Sequence, residues 1–402
     1  MNIDILEDNA VSPNLNRHAQ GDVCAYAVPC RLKNGDLVCV YRQGSAKHSR
    51  DGVLIAQRST DAGINWSDPV SVFEGLKESP PESVHSGVVC QAADGAVLAI
   101  FKTVEARNPE AYIFSEEGRQ IPQRLYVSRS TDEGRTWPAP AEHKLIGAPR
   151  DTAVGTRPLL LSDGGLLIPV EATGQHGQQI ILGVFSSDGG ITLQPVITCA
   201  EDTTGQVGYG DARLTLLHDG RIVMLTWTYL NATEETIAVH GCVSADRGRT
   251  WTKPASTGVE SQIMTPLALD AVNLIAASTV RTNPEGIRLW YSSNAGETWN
   301  TESVIQMWDP HEEKLKGTGL KLEHVTSKVA PEKIWESLPG FSFGTPDLVQ
   351  LDENLCLLTY YATIEGVTHI RACRFKVEFG KESEPVKSVL GPPKIKGRVV
   401  SP

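Results

Sequence analysis

The chain has 402 residues, of which 40% are hydrophobic and 21% are charged, and its 36 glycines and 24 prolines indicate many turns. Its formal net charge of −11, without any Lys/Arg run, argues against a nucleic-acid partner, because a phosphate backbone needs a basic surface. No apolar run approaches the roughly 18 residues of a membrane-spanning helix, and the N-terminus lacks the apolar region of a signal peptide. We therefore predict a cytoplasmic protein with no membrane partner. The eight cysteines form no CxxC pair and mostly lie in apolar stretches, which favours reduced core residues, although an even count also permits disulfides.

A hairpin pattern recurs along the chain: an apolar strand, a turn that usually contains Asp-Gly or Asn-Gly, and a second apolar strand. Such a dipeptide between two apolar runs is the strongest short signal for a β-hairpin. The six turns lie at residues 34–36, 94–95, 163–165, 219–220, 270–273 and 352–354.

A second motif, Ser-x-Asp-x-Gly-x-x-Trp, follows five of these hairpins and is called the Asp-box here. In it, Ser and Asp side chains bond backbone amides inside a tight turn, and glycine supplies the positive φ. The third copy ends in Leu193 instead of Trp, and the fifth has Asn294 in place of Asp. Because the motif is structural, its aspartates are poor catalytic candidates. The copies begin at Ser59, Ser130, Ser186, Ser244 and Ser292.

Together the two repeats predict an all-β fold, a six-bladed β-propeller with four-stranded antiparallel blades. We expect a single domain over residues 1–402, with blades at about 22–375 and short N- and C-terminal extensions. Blade six has no Asp-box, so the N-terminal segment is expected to supply a strand that closes the ring. The charged, helix-like stretch at about 307–338 is interpreted as an insertion before blade six, and the Lys- and Pro-rich tail after Phe375 as a surface segment.

Candidate ligand-contacting residues are those where the first strand of each blade begins and the second ends, since these positions surround the propeller axis. The set is rich in Arg, carboxylate, His and aromatic side chains, which suit a sugar ligand. No spacing indicates a metal site, and there is no nucleotide fingerprint, so no cofactor is predicted. The positions are Tyr26, Ala27, Arg42, His48, His85, Lys102, Glu105, Arg157, Glu171, Asp211, Arg213, Trp227, Tyr229, Gln262, Arg281, Thr345, Asp347, Tyr360 and Tyr361.

The Asp-boxes, the hairpins and the segment from Val40-Tyr41-Arg42 to Arg58-Ser59-Thr60-Asp61 resemble the sialidase (neuraminidase) superfamily of BNR-repeat propellers. The resemblance covers about residues 22–375. It implies an exo-α-sialidase-like glycosidase, in which three arginines hold a sugar carboxylate, an Asp is the general acid/base, and a Tyr activated by a Glu is the nucleophile.

Single positions of this sequence match that apparatus only in part. Arg42 matches an arginine, His48 (with Asp51 nearby) stands at the place of the acid/base Asp, and Asp211 stands at the place of the Glu. Ala27-Val28-Pro29 replaces an Arg-Ile-Pro motif. Thr345 stands near the place of the nucleophilic Tyr, and 262–265 lacks the expected arginine. The pattern favours the broader sialidase-like group over a true sialidase.

We therefore predict a sialidase-like glycoside hydrolase that removes a terminal sugar, for which an acidic sugar is one candidate. The alternatives are a glycan-binding propeller that has lost the chemistry and a scaffold whose rim binds protein. Purely structural roles stay open for several residues: His85 and Glu171 as hydrogen-bonding groups, Arg213 as the partner of Asp211, and either Tyr360 or Tyr361 as a core residue. The predicted catalytic residues are His48, Asp51 and Asp211, and the predicted substrate-binding residues are Arg42, His85, Arg157, Glu171, Arg213, Trp227, Arg281 and Tyr361.

Overall fold

A computed structural model describes residues 1–11, 23–76, 80–108, 123–148, 152–282, 284–310, 342–364, 367–379 and 399–400. Within these residues the chain forms β-strands and no helix. The strands are β1 (Asn2–Ala10), β2 (Val23–Arg31), β3 (Leu37–Gly44), β4 (Val53–Ser59), β5 (Val70–Phe73), β6 (Glu82–Gln91), β7 (Val97–Glu105), β8 (Gln123–Ser130), β9 (Ala141–His143), β10 (Ala153–Val154), β11 (Leu159–Leu160), β12 (Leu166–Thr173), β13 (Gln179–Ser186), β14 (Val196–Ala200), β15 (Val207–Leu216), β16 (Ile222–Leu230), β17 (Thr236–Ser244), β18 (Ala255–Ser256), β19 (Met264–Ala268), β20 (Leu274–Val280), β21 (Gly286–Ser292), β22 (Val304–Trp308), β23 (Phe343–Gln350), β24 (Leu355–Ile364), β25 (Val367–Glu378) and β26 (Val399–Val400).

The strands form six antiparallel sheets, and each sheet is one blade. The sheet orders are β2-β3-β4-β5 for blade 1, β6-β7-β8-β9 for blade 2, β10-β12-β13-β14 with β11 beside β12 for blade 3, β15-β16-β17-β18 for blade 4, β19-β20-β21-β22-β26 for blade 5 and β23-β24-β25-β1 for blade 6. Apolar side chains of adjacent blades pack face to face, as in one cluster that joins Val38, Leu98 and Ile168 of blades 1 to 3. The predicted six-bladed β-propeller is confirmed.

The N-terminal strand closes the ring, as predicted. β1 pairs antiparallel with β25, from Asn2 opposite Glu378 to Ala10 opposite Arg371, and so completes blade 6. At the other terminus, β26 adds a fifth strand to the outer edge of blade 5.

Two boundary predictions fall largely outside the described residues. The predicted insertion was placed from about 307, but Met307 and Trp308 are buried and complete β22. The rest of it, from 311, lies outside the described residues, as does the tail from 380 to 398.

All eight cysteines are buried and free, as predicted. Among the described residues no helical segment has the length and apolarity to span a bilayer.

The Asp-box turns connect the third and fourth strands of blades 1 to 5 and join neighbouring blades. In the first box, Ser59 Oγ donates to Asp61 Oδ1 (2.8 Å) and accepts from the amide of Gly63 (2.9 Å). A Cβ on Gly134 of the second box would come within 3.2 Å of Val38 in blade 1, and φ there is 77°. The box glycines thus allow each turn to approach the preceding blade closely. The described box aspartates are engaged in their own turns and lie away from the axis.

Backbone irregularities interrupt four of the innermost strands where they reach the axis. The strand register shifts at Tyr26, His85, Asp211 and Thr345 in blades 1, 2, 4 and 6. Three of these residues have positive φ values, 62° for Tyr26, 46° for Asp211 and 47° for Thr345. Because a bulge bends the strand and redirects a side chain, these positions turn polar groups into the centre of the ring.

Candidate functional site

The innermost strands enclose an axial cavity of about 120 Å³. Every blade contributes to its wall, which contains three carboxyl groups, three cations, two histidines and two tyrosines. The predicted site residues that line the cavity are His48, His85, Glu171, Asp211, Arg213, Trp227, Arg281 and Tyr361, and the other polar side chains in the wall are those of Tyr26, Ser86, Lys102, Gln179, Gln262, Thr345 and Asp347.

A carboxyl pair lies on the wall formed by blades 3 and 4. The amide of Asp211 donates to Glu171 Oε1 at 2.5 Å. Burial, together with the negative charge of Asp211, raises the pKa of Glu171 to about 7 against the opposing charge of Lys102. Burial also raises the pKa of Asp211, although Arg213 at 3.4 Å and Lys102 oppose the shift. Glu171 therefore holds a proton near neutral pH, as a general acid requires.

Tyr26, His48 and His85 form an aromatic cluster on the wall of blades 1 and 2. The Tyr26 hydroxyl lies 3.1 Å from His48 Nε2, and the two imidazole rings meet edge to face with centroids 6.0 Å apart. Burial holds the pKa of both histidines well below the usual value, and nearby positive charges lower it further, chiefly that of Lys47 for His48 and that of Lys102 for His85. Both rings are neutral at physiological pH, which is the form in which imidazole acts as a base, and burial makes each a weaker base than an exposed histidine.

Blades 5 and 6 contribute an arginine–tyrosine pair. Arg281 donates from Nε to Gln262 Oε1 (2.8 Å) and from Nη2 to the Phe343 carbonyl (2.6 Å). A Cβ on Gly344 would come within 2.8 Å of Arg281 Nη2 and 3.1 Å of the Tyr361 hydroxyl. Glycine at this position therefore leaves the room in which the two side chains approach each other.

The two adjacent tyrosines of β24 point to opposite faces of the blade, as expected for a strand. Tyr361 is 2% exposed and lines the cavity. Tyr360 is in the core, where its hydroxyl donates to Asp8 at 2.6 Å. Of the two tyrosines, Tyr361 therefore faces the pocket and Tyr360 is the core residue.

Contrary to the prediction, three site residues, Arg42, Asp51 and Arg157, do not line the cavity. Arg42 is fully buried and donates to the carbonyl of Val84 and to other backbone carbonyls, so its charge is held inside the protein rather than offered to a ligand. Asp51 is exposed in the loop after β3 and accepts hydrogen bonds from Ser45 and Ser49, which makes it a loop cap.

Arg157 bridges three blades beside the cavity. It donates to the carbonyls of Pro29 in blade 1 (2.9 Å) and Leu348 in blade 6 (3.0 Å), and its guanidinium lies 3.5 Å from Asp347 Oδ1. These contacts engage its hydrogen-bond donors within the protein. Its prediction as a substrate-binding residue rested on its position near the axis, which is correct, but position alone does not show where a long side chain points.

Sequence reasoning missed Gln179, which opens β13 and lines the cavity. Only first and second strands were considered near the axis, whereas Gln179 begins a third strand. Its Oε1 accepts a hydrogen bond from the Tyr229 hydroxyl at 3.1 Å. Tyr229 therefore contacts a residue of the cavity wall without lining the cavity itself. Glu105, another axial candidate, is exposed at the end of β7, outside the cavity wall.

Residues 35–306, more than half of the chain, match the family model described as the BNR repeat-like domain. The chain belongs to this family. No curated protein matches it in sequence.

Solved structures share the architecture of this BNR-repeat chain. A protein of unknown function from Dyadobacter fermentans aligns with a TM-score of 0.71 and 19% identity, covering 94% of this chain and 100% of that protein. The Hadza microbial sialidase Hz136 aligns with a TM-score of 0.66 and 16% identity, covering 92% of this chain and 68% of the sialidase. The leech intramolecular trans-sialidase aligns with a TM-score of 0.58 and 13% identity, covering 92% and 70%. The fold is that of the sialidase-like propellers.

Among the described residues, no group of three or more His, Cys, Asp or Glu side chains is arranged to hold a metal ion. The chemistry that the wall itself offers is proton transfer and hydrogen bonding to a polar ligand.

Proposed function

We propose that this BNR-repeat protein is a sialidase-like glycoside hydrolase that removes a terminal sugar bound in the axial cavity. The carboxyl pair of Glu171 and Asp211 carries the proposal, because glycosidases cleave with two carboxyl groups beside the scissile bond. The wall also supplies donors for sugar oxygens in Arg213, Arg281 and Lys102. An acidic sugar is one candidate substrate, since these three cations in the cavity wall attract a sugar carboxylate.

In this mechanism, protonated Glu171 donates its proton to the glycosidic oxygen as the bond to the anomeric carbon breaks. Asp211, beside it, stays ionised through Arg213 and stabilises the positive charge that develops on the sugar. Neutral His48 accepts a proton from the water that attacks the anomeric carbon, and the proton returns to Glu171 through solvent. The acid/base role was predicted for either His48 or Asp51; in this mechanism His48 acts as the base and Glu171 as the general acid.

The test is turnover of a panel of aryl glycosides, including a sialoside, by the wild type and by Glu171→Gln and Asp211→Asn. Loss of a general acid typically costs about 10²- to 10⁴-fold in rate, and we expect such a fall in kcat/KM for both variants. Since the pKa of Glu171 is raised to about 7, wild-type activity should fall above that pH, and Glu171→Gln should lose this limb of the profile.

Glu105→Gln is the matched control, because Glu105 is an exposed carboxyl on blade 2 outside the cavity. Its activity should equal that of the wild type. Full activity in either cavity variant would refute the assignment of that carboxyl.

The second candidate is a glycan-binding propeller without chemistry. It is favoured by Thr345, which stands near the place where the superfamily has its nucleophilic tyrosine. Glycan-array binding that Trp227→Ala abolishes, together with no turnover of any aryl glycoside, would support this candidate and exclude the hydrolase.

A further inference from the structure

We infer that Arg42 is a positioning residue, which holds His48 and His85 in place across the junction of blades 1 and 2. This role goes beyond the proposed function, and only its kinetic consequence rests on it. Arg42 lies in β3 between Ala25 and Leu54 in the sheet, and none of its surface is exposed. A buried guanidinium needs its hydrogen bonds satisfied, and the partners of Arg42 reveal what it organises.

Two of these partners flank His48. Arg42 Nη1 donates to the carbonyl of Ala46 at 2.6 Å, and Nη2 donates to the carbonyl of Ser49 at 2.5 Å and to its hydroxyl at 3.1 Å. His48 lies between these carbonyls in the loop after β3. The loop is therefore wrapped around the guanidinium, and the position of the imidazole follows from that of the arginine.

A third partner belongs to blade 2. Arg42 Nε donates to the carbonyl of Val84 at 3.0 Å, and Val84 directly precedes His85 in β6. This is the point at which the register of β6 against β7 shifts. One side chain thus contacts the backbone on both sides of one histidine and directly before the other.

Two glycines make room for this arrangement. A Cβ on Gly44 would come within 2.9 Å of Arg42 Nη1, and a Cβ on Gly52 within 2.7 Å of Nε and 2.3 Å of the Val84 carbonyl. The backbone therefore approaches the guanidinium more closely than any other residue type would permit at these positions. A side chain at either glycine would displace the guanidinium, so both glycines are part of the arrangement that holds the loop around Arg42.

Lysine cannot replace this set of contacts. The guanidinium presents five donors in a planar fork, whereas an ammonium has three donors on a single nitrogen. Arg42→Lys keeps the positive charge but loses the fork. Any change in the histidines of this variant therefore reports their position and hydration, and does not report the loss of a neighbouring charge.

The experiment is an NMR titration of isotope-labelled histidines in the full chain, with resonances assigned from His48→Gln and His85→Gln. The charged and titratable groups facing His48 are Lys47, Arg42 and Lys102, with Tyr26 and His85 beside it, and those facing His85 are Lys102, His48 and Arg42, with Gln123 as a hydrogen-bond partner. In the wild type both rings should titrate well below the usual pKa of about 6.5. In Arg42→Lys the pKa of His48, and to a smaller extent that of His85, should rise toward that value as water enters the loosened loop.

Arg371→Lys is the matched control. Arg371 is also buried, 1% exposed, and donates to Asp8 in blade 6 outside the cavity wall. This variant should lose stability while leaving both histidine titrations unchanged. Unchanged titrations in Arg42→Lys, with a loss of stability like that of Arg371→Lys, would overturn the inference and leave Arg42 as a structural residue.

Ser49→Ala provides a milder second variant in case Arg42→Lys fails to fold. It removes one acceptor of Arg42 and should raise the pKa of His48 as Arg42→Lys does, but by a smaller amount; no rise would overturn the inference.

If the wild type cleaves a glycoside, Arg42→Lys should lower kcat about 10²-fold, as expected when a reacting group moves by about 1 Å. If it cleaves none, the proposed function fails, and the titration still tests the position of the rings.

Discussion

At the scale of a single residue, Arg157 shows that a charged side chain near the propeller axis can stabilise the fold instead of lining the cavity. Its partner Asp347 is 3% exposed and lines the cavity. Burial raises the pKa of Asp347, and the charges of Arg157 and Arg213 oppose that shift. Two arginines therefore favour the charged form of this carboxyl group against the effect of burial, and of these Arg157 is only partly exposed.

We expect Arg157→Met to destabilise the protein by about 3 kcal/mol at pH 7, because it leaves a buried carboxylate with less compensation. Without Arg157 the folded-state pKa of Asp347 rises further above its unfolded value of about 3.9, so the folded state binds more protons in this range and loses stability as pH rises. The deficit should therefore be small near pH 4 and grow toward pH 7. Denaturant unfolding of the variant at both pH values measures this difference.

Arg157→Met/Asp347→Asn is the control, since it removes both the charge and its partner. It should recover much of the loss at pH 7. A deficit independent of pH would show that the lost hydrogen bonds to Pro29 and Leu348, and not the buried charge, account for the effect.

At the scale of the element, the Asp-box turns allow a comparison within one molecule. In the fourth box, Asp246 accepts from the amide and hydroxyl of Thr250 at 2.8 and 2.7 Å, and these bonds lower the pKa of Asp246 to about 2. In the fifth box, uncharged Asn294 accepts from the amide of Thr298 at 3.0 Å and donates from Nδ2 to the Thr298 hydroxyl at 2.9 Å. The two turns therefore differ in the ionisation of one side chain and in the direction of its hydrogen bond with the threonine hydroxyl.

Asn294→Asp should stabilise the protein by about 0.5 kcal/mol, because hydrogen bonds to an ionised acceptor are stronger and the turn is solvent-accessible. Asp246→Asn should destabilise it by a similar amount. Both differences require a pH well above the carboxylate pKa and should vanish as pH falls toward 2, where the folded-state carboxylate takes up its proton. Thermal unfolding at pH 7 and pH 3 checks both signs, and equal stabilities of the two variants and the wild type at pH 7 would contradict the argument.

These turns also show why so much of the fold could be predicted from the sequence. An Asp-Gly hairpin turn and an Asp-box are local structures, and the residues that build them are adjacent in the chain. The bulges that turn Tyr26, Asp211 and Thr345 toward the axis are different, because they depend on the register between two strands. No residue type marks such a shift, so the sequence could place these residues near the axis without giving their direction.

The same limit applies to the candidate site. The prediction that strand ends surround the axis placed Glu171, Asp211 and Arg281 in one cavity, since propeller geometry alone requires it. It failed for Arg42 because the direction of a long side chain depends on the loop packed around it. It missed Gln179 because a third strand can also reach the axis when its hairpin begins there.

At the scale of the whole molecule, the ring is held closed by contacts between the two ends of the sequence. Asp8 of β1 accepts a hydrogen bond from Tyr360 in β24 (2.6 Å) and pairs with Arg371 in β25 (3.1 Å). Tyr360 is fully buried and Arg371 is 1% exposed. A single carboxylate from the N-terminus thus satisfies two buried polar groups of the last blade.

We expect Asp8→Ala to lower the free energy of unfolding by about 3 kcal/mol, because it leaves the Arg371 charge and the Tyr360 hydroxyl buried without this partner. Asp4→Ala is the matched control, since Asp4 is an exposed carboxylate of the same strand and should change stability by no more than about 0.5 kcal/mol. Hydrogen exchange should locate the effect: amides of β1 and β25 should lose protection first in Asp8→Ala, while those of blade 3 keep theirs. Equal stability of the two variants would contradict this account, and uniform loss of protection around the ring would show that opening blade 6 unfolds all six blades together.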